Sequence, residues 1–372
     1  MREDCKLYEL RGVWITTVYE IDWPKTKNNP QAQKEEFIKI LEQLKDLNIN
    51  SVFVQVRPTS DAFYNSKINP WSDYLTGTQG KNPGYDPLEF MIEEAHKRNM
   101  EIHAWLNPYR ITTKGTDLNQ LADNNPAKLH PEWVLEHNDT LFYNPQNIDV
   151  INYIATTVFE IVAKYNIDGI HFDEYFYPYN YPPPDCKCKY ICTCDGNYEC
   201  IVDTARCRME AINYMIRMVY NAIKSIKPNV QFGISPFGIW KNKSSDINGS
   251  NTNGLEGYYD LYSDALVWID EGIIDYIAPQ IYWETENKDN PYETLVRWWS
   301  NVVDGTNVKL YVGQNINKEE TAKELTKEID INREYKEVEG NILFSYRDIK
   351  NNNQGVIEQL KKAYSQKACI KR

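Results

Sequence analysis

Along this chain, short apolar runs alternate with longer stretches whose apolar residues recur every three to four positions, and the alternation persists to the C-terminus. The short runs have the length of buried strands, and the longer stretches have the period of amphipathic helices. Strands are predicted at Leu10–Thr16, Ile49–Val56, Glu101–Leu106, Asp168–Phe172, Val230–Ile234, Tyr276–Ile281, Lys309–Val312 and Asn341–Ser345. Helices are predicted at about Gln31–Leu47, Pro87–Arg98, Val150–Tyr165, Val202–Ile226, Tyr259–Asp270, Tyr292–Asn301, Thr321–Ile331 and Gly355–Tyr364. Eight β-then-α units in a row predict an α/β fold, a single (β/α)₈ TIM barrel over residues 1–372. A doubly wound open sheet is the alternative, but the first strand-to-helix turn has no Gly-x-Gly-x-x-Gly fingerprint. Loops lengthen after strands two to five, on the side where barrel enzymes build their sites.

Within a barrel strand, alternate residues face the interior. Val52, Val54 and Val56 should face helices, which puts Gln55 and Arg57 inside. His103, Trp105 and Asn107 share one face of the third strand. On the fourth, Ile170 and Phe172 face outward, so His171, Asp173 and Tyr175 point in. On the sixth, Ala278, Gln280 and Tyr282 point in, and the same alternation carried on brings in Glu284. Polar side chains thus gather at strand ends, where a purely structural barrel would place apolar layers, and this predicts a site. Glu174 is adjacent, but alternation points it away unless the chain bends. His103 and His171 lie lower and read as hydrogen-bonded core residues, since no third metal ligand follows at a recognisable spacing. There is no phosphate-binding loop, so no cofactor is expected, and no Gly-x-Ser-x-Gly elbow, so serine-hydrolase chemistry is not expected either; no metal is expected among these strand-end residues.

Composition changes the picture in three ways. The net charge is −12 with scattered acids, which argues against a nucleic-acid partner. Aromatics reach 13%, with 27 Tyr and 10 Trp, enough for a cleft that stacks sugar rings as well as a large core. Six of eight cysteines crowd together as Cys186, Cys188, Cys192, Cys194, Cys200 and Cys207, which points to disulfides or a metal site within an insert over 179–207. That insert should form one wall of the cleft. Cys5 and Cys369 flank the first strand and the last helix, and are expected to pair and staple the ends. No apolar run reaches the length of a membrane span, and Met1 is followed by charged residues, so the expectation is either a cytosolic protein or one whose leader is absent.

The segments Leu10-Arg11-Gly12-Val13-Trp14-Ile15, Ile21-Asp22-Trp23-Pro24 and Gln55-Val56-Arg57-Pro58 resemble the opening of the glycoside-hydrolase-like family 10 proteins. The resemblance continues in order through Ala104–Arg110, Asp168–Pro178, Gly233–Trp240 and Asp275–Trp283, and covers about residues 8 to 346. It implies a TIM-type barrel and a bacterial enzyme acting on envelope polysaccharide, with peptidoglycan glycan strands as the leading substrate. It also implies an extracellular or envelope location, where disulfides are favoured over zinc in the cysteine insert; inside the cell that preference reverses. The insert itself departs from the family pattern.

Asp168-Gly169-x-x-x-Asp173 is also similar, more loosely, to the fourth-strand signature of family 18 chitinases, but Tyr175 stands where those carry the acid Glu. Glycoside cleavage needs a proton donor and a second carboxylate, or a substrate acetamido group that attacks in its place. Asp173 is the first expectation for the essential carboxylate and Glu284 for its partner, with Glu174 next in line as the acid. Gln280 and Tyr282 would hydrogen-bond the sugar, Arg57 and Asn107 would position it, and Tyr109 and Tyr175 would bind beside them. Trp14, Trp105, Trp240 and Trp283 are candidate stacking surfaces. Rival functions are a non-catalytic carbohydrate-binding or coat protein on a degenerate barrel, and an amylase-like glucan hydrolase with carboxylates on other strands.

Overall fold

The computed structural model describes residues 7–184 and 204–371. Eight parallel strands close on themselves: β1 Leu10–Ile15, β2 Ser51–Arg57, β3 Glu101–Leu106, β4 Gly169–Phe172, β5 Gln231–Ile234, β6 in two pieces at Tyr276–Ile277 and Gln280–Ile281, β7 Lys309–Asn315 and β8 Val338–Phe344. Closure comes from β8 pairing with both β7 and β1, in the latter case with Leu10 opposite Gly340 and Val13 opposite Leu343. The outer ring comprises α1 Pro30–Asp46, α2 Pro87–Lys97, α3 Ile148–Lys164, α4 Ala205–Ile226, α5 Ala265–Asp270, α6 Tyr292–Val303, α7 Leu325–Glu334 and α8 Val356–Ala363. This is the (β/α)₈ barrel that the periodicity predicts.

Local chemistry starts the helices where they start. Asn29 accepts from the Ala32 N–H with Pro30 at the first helical position of α1, and Asp86 and Pro87 repeat the device at α2. Asn147 caps α3, and Thr204 caps α4 through the Cys207 N–H at 3.1 Å. Phe37, Ile40, Leu41 and Leu44 of α1 share one buried core with Val52, Val54 and Val56 of β2, so the apolar stripe of the helix and the outward face of the strand are buried on the same side of the barrel wall. No helix among the described residues is long and apolar enough to cross a membrane.

The barrel interior is a second core, built from Trp14, Phe53, Trp105, Tyr276, Tyr311 and Ile342. Rings this large fit because neighbouring strands present glycine. A Cβ on Gly169 would lie 2.2 Å from His103 Nδ1, and one on Gly233 would lie 2.1 Å from the Tyr276 ring. Both histidines are fully buried and hydrogen-bonded, as expected of core residues. The Trp14 indole N–H donates to His171 Nε2 at 3.1 Å, so His171 Nδ1 carries the proton and meets the Tyr276 hydroxyl at 3.0 Å. That hydroxyl is also 3.0 Å from His103 Nδ1. Burial pushes the His171 pKa well down and keeps the ring neutral. The result is a rigid floor beneath the strand ends.

Three features depart from the sequence prediction. Pro279, which lacks an N–H, interrupts β6. The helix expected at Tyr259–Asp270 breaks into Gly257–Asp260 and α5. The long loop after β3 holds an unforeseen hairpin, Val134–His137 paired with Thr140–Tyr143. It turns on Asn138 and Asp139, both at positive φ (47° and 57°), the backbone that a two-residue hairpin turn demands and that Asn and Asp tolerate.

The chain ends meet: Cys369 N–H donates to Leu7 O and Glu9 N–H to Cys369 O, each at 2.9 Å. Cys5 lies outside the described residues, and so does its expected pairing with Cys369. Cys186, Cys188, Cys192, Cys194 and Cys200 lie outside them too, as does the expected role of the insert as a cleft wall. Cys207 is buried in the first turn of α4.

Candidate active site

A cleft of about 720 Å³ opens at the C-terminal ends of the strands. Trp14 and Trp105 form its floor, Tyr282, Trp283 and Phe344 line one side, and the loops after β1, β3 and β4 line the other. Among the described residues lining it, two are acidic: Asp173 and Glu174.

Both sit where β4 stops. Phe172 is the last paired residue, after which Tyr175 N–H turns back to Asp173 Oδ1 at 3.2 Å and Phe176 N–H to Glu174 O at 2.9 Å. This tight bend ends the in–out alternation and brings Glu174, expected to point away, into the cleft beside Asp173.

Asp173 is held by donors. Trp105 Nε1–H reaches Oδ2 at 3.0 Å, and Asn107 Nδ2 donates to the same oxygen. Asn107 is itself fixed by Gln55, whose Nε2 donates to Asn107 Oδ1 at 2.6 Å. The carbonyl end of Gln55 accepts the Thr17 and Val18 N–H groups, each at 2.9 Å, so the β1, β2, β3 and β4 ends form one polar network. Burial is the largest influence on Asp173 and raises its pKa; the Arg110 charge and the N–H donors oppose it. Glu174 accepts from Gln280 Nε2 at 2.5 Å and from the Tyr179 hydroxyl at 3.1 Å. Burial, then the negative charge of Asp173, pushes its pKa up to about 7. Three N–H donors at Asp173, against two hydrogen bonds accepted by Glu174, favour the negative charge on Asp173. Such a pair can supply an anion and a proton donor side by side.

The remaining expected residues divide. Trp105, Asn107, Tyr109, Tyr175, Gln280 and Tyr282 come together at or immediately around the cleft. Arg57, Glu284 and Trp240 do not line it. A β-bulge between Gln55 and Arg57 shifts the register against β3 and turns Arg57 outward, toward the helix layer. Its guanidinium donates to Asn107 O at 2.6 Å, Pro108 O at 3.2 Å and the Tyr153 hydroxyl of α3 at 2.9 Å, pinning the β3 loop from behind. Past Trp283 the chain is drawn off by Thr285, whose N–H and hydroxyl both bond Glu324 at 2.8 Å, and the Glu284 charge is felt at Glu328 of α7. Trp240 stacks on Trp298 of α6 with ring centroids 6.0 Å apart and donates to Asp264. Asp168, first of the chitinase-like pair, holds His96 and the Ile102 N–H before β4 begins and is not a cleft residue.

Tyr19, Tyr179, Ser235 and Phe344 line the cleft without having been foreseen. Ser235 and Phe344 were legible as strand-end residues; Tyr19 and Tyr179 lie on loops, where no period applies.

A closed (β/α)₈ barrel with a buried carboxylate pair under an aromatic cleft defines a protein of the glycosidase class. The comparisons give the family: the glycosyl hydrolase-like 10 model matches residues 9–330, and the chain belongs to that family. It is 44% identical to the glycosyl hydrolase YngK of Bacillus subtilis, over 97% of this chain and 73% of that protein. It is 39% identical to the glycosyl hydrolase DigH of Escherichia coli K12, over 90% of this chain and 82% of that one. The chain is a glycoside hydrolase. Among solved structures, the β-amylase catalytic domain of Paenibacillus polymyxa shares the fold (TM-score 0.59, 11% identity, 95% of this chain and 97% of that one). So does the PgaB glycoside hydrolase domain of Bordetella bronchiseptica (TM-score 0.57, 11% identity, 97% and 100%).

Proposed function

We propose that this glycosidase cleaves the glycan strands of bacterial peptidoglycan at the cell envelope, with Glu174 as proton donor and Asp173 as the charge-stabilising carboxylate. The observation that carries the assignment of roles is the paired burial of the two carboxylates, one satisfied by three N–H donors and the other raised to neutral pH. Glu174 gives its proton to the glycosidic oxygen as the C–O bond breaks, and Asp173 faces the positive charge that develops on the sugar. Both carboxylates come from one strand end, which favours a route in which the sugar's own acetamido oxygen attacks the anomeric carbon. Asp173 then orients the acetamido N–H, and water opens the cyclic intermediate while returning a proton to Glu174. Peptidoglycan strands are N-acetylated and bring that nucleophile with them. The aromatic floor and sides suit sugar rings, whose C–H faces pack on flat apolar surfaces.

The test is turnover of purified glycan strands before and after chemical N-deacetylation. Cleavage of the acetylated strands alone supports the reading. Equal cleavage of both sinks the acetamido route, and cleavage of neither sinks the substrate.

A further inference from the structure

Tyr19 is a buried-type ring left 62% exposed on the rim of the cleft, in a backbone conformation that side chains avoid. Its φ is 54° and that of Glu20 is 53°, so two consecutive non-glycine residues lie in the left-handed region. A bulky residue there costs free energy and persists only where its surroundings fix it. The surroundings do fix it. On the N-terminal side, Gln55 clamps the Thr17 and Val18 N–H groups, and Asp22 accepts the Thr16 N–H at 2.7 Å. On the C-terminal side, Lys25 Nζ donates to the Glu20 and Ile21 carbonyls. Across the rim, the Tyr19 hydroxyl reaches Thr113 O on the β3 loop at 3.3 Å. The strained turn is therefore built to present this ring and is not a frayed loop.

A second exposed ring stands on the same cleft. Tyr175 is 38% exposed, and its backbone N–H is the one that holds Asp173. The Arg110 guanidinium lies 4.6 Å from the centre of its ring, fixing it from one side. Both rings line the one cleft. An isolated surface tyrosine needs no explanation. Two rings on one cleft, one strained into place and the other tied to a catalytic carboxylate, do.

We propose that Tyr19 and Tyr175 form a sugar-binding subsite beside the cleavage point, which grips an additional ring of the glycan. The inference rests on the N-acetylated glycan reading above and deepens it: the enzyme engages a run of several sugars, not a terminal unit alone. Affinity should rise with chain length until this subsite is filled, and Tyr19 should carry that gain.

The experiment measures binding of β-1,4-linked N-acetylglucosamine oligomers of increasing length to the full chain carrying Asp173→Asn, which prevents turnover. Tyr19→Gly is then added, because glycine relaxes the left-handed strain, and Tyr19→Trp keeps an aromatic face. The parent should gain about tenfold in affinity from the shortest to the longest oligomers, as expected for one aromatic platform. Tyr19→Gly should lose that gain, while its melting temperature holds or rises; Tyr19→Trp should keep it. A length-dependent gain that survives Tyr19→Gly, or oligomers bound with no dependence on length, overturns the subsite alone. Failure of the parent to bind any oligomer also overturns the subsite, while turnover of purified glycan strands by the unaltered chain decides the substrate reading separately.

Discussion

The ends of β4 and β6 carry one glutamate each, and strand alternation assigns them wrongly in opposite directions. Glu174 should face out and lies in the cleft; Glu284 should face in and does not line it. The difference is where the pairing ladder ends and what takes over. Beyond β4 the chain bends at once, closed by the Tyr175 and Phe176 N–H groups, and two successive side chains share one side. At the end of β6 the alternation carries Gln280 and Tyr282 to the cleft, Trp283 joins them there, and the chain is then pulled toward the outer layer by Thr285 on Glu324 before Glu284 can enter. Side-chain direction is a property of the ladder, and it lapses within a residue or two of the last paired position.

The sharpest way to break this contrast is at Asp173. Asp173→Asn keeps the shape and removes the charge, and kcat on glycan strands should fall by at least about a hundredfold while the protein stays folded, its melting temperature lowered only by the one N–H left facing the amide. A variant of near wild-type rate would remove β4 from the chemistry. The pH profile is the next test. With Glu174 as the proposed proton donor and its pKa raised, kcat/KM should hold below neutrality and fall as pH rises through about 7. Gln280→Leu removes a hydrogen bond that lowers that pKa. The alkaline limb should move to higher pH, and kcat should drop about tenfold; an unmoved limb means another group sets it.

Arg57 gives a smaller effect of a different kind. It stands behind the β3 loop, so Arg57→Met leaves two buried carbonyls and a phenol short of a donor. A loss of about 3 kcal/mol in stability is expected, seen as a lower melting temperature while activity well below it is largely kept. A stable but inactive Arg57→Met would return that residue to the cleft.

The fold was legible because every barrel strand and every principal helix carries its own period. The site was legible where the ladder is regular: Trp105, Asn107, Asp173, Gln280 and Tyr282 follow from counting by twos. It was illegible where a local event intervenes. The bulge that turns Arg57 has no glycine to announce it, and the pull of Thr285 on Glu324 joins residues far apart in sequence. Trp240 lies on a loop, and its partner Trp298 comes from α6. The hairpin turn was an exception of another sort, since Asn138-Asp139 between apolar residues is a local signal that was there to be used.

In the proposed mechanism the working carboxylates are neighbours just past the end of β4, and the glutamate after β6 is not one of them. The decisive measurement is kcat/KM of Glu174→Gln and Glu284→Gln, taken side by side on purified glycan strands. Glu174→Gln should lose about a hundredfold or more, and Glu284→Gln should stay within about twofold of wild type, as for a surface substitution away from the chemistry. The reverse order of losses, or equal losses, would contradict that mechanism.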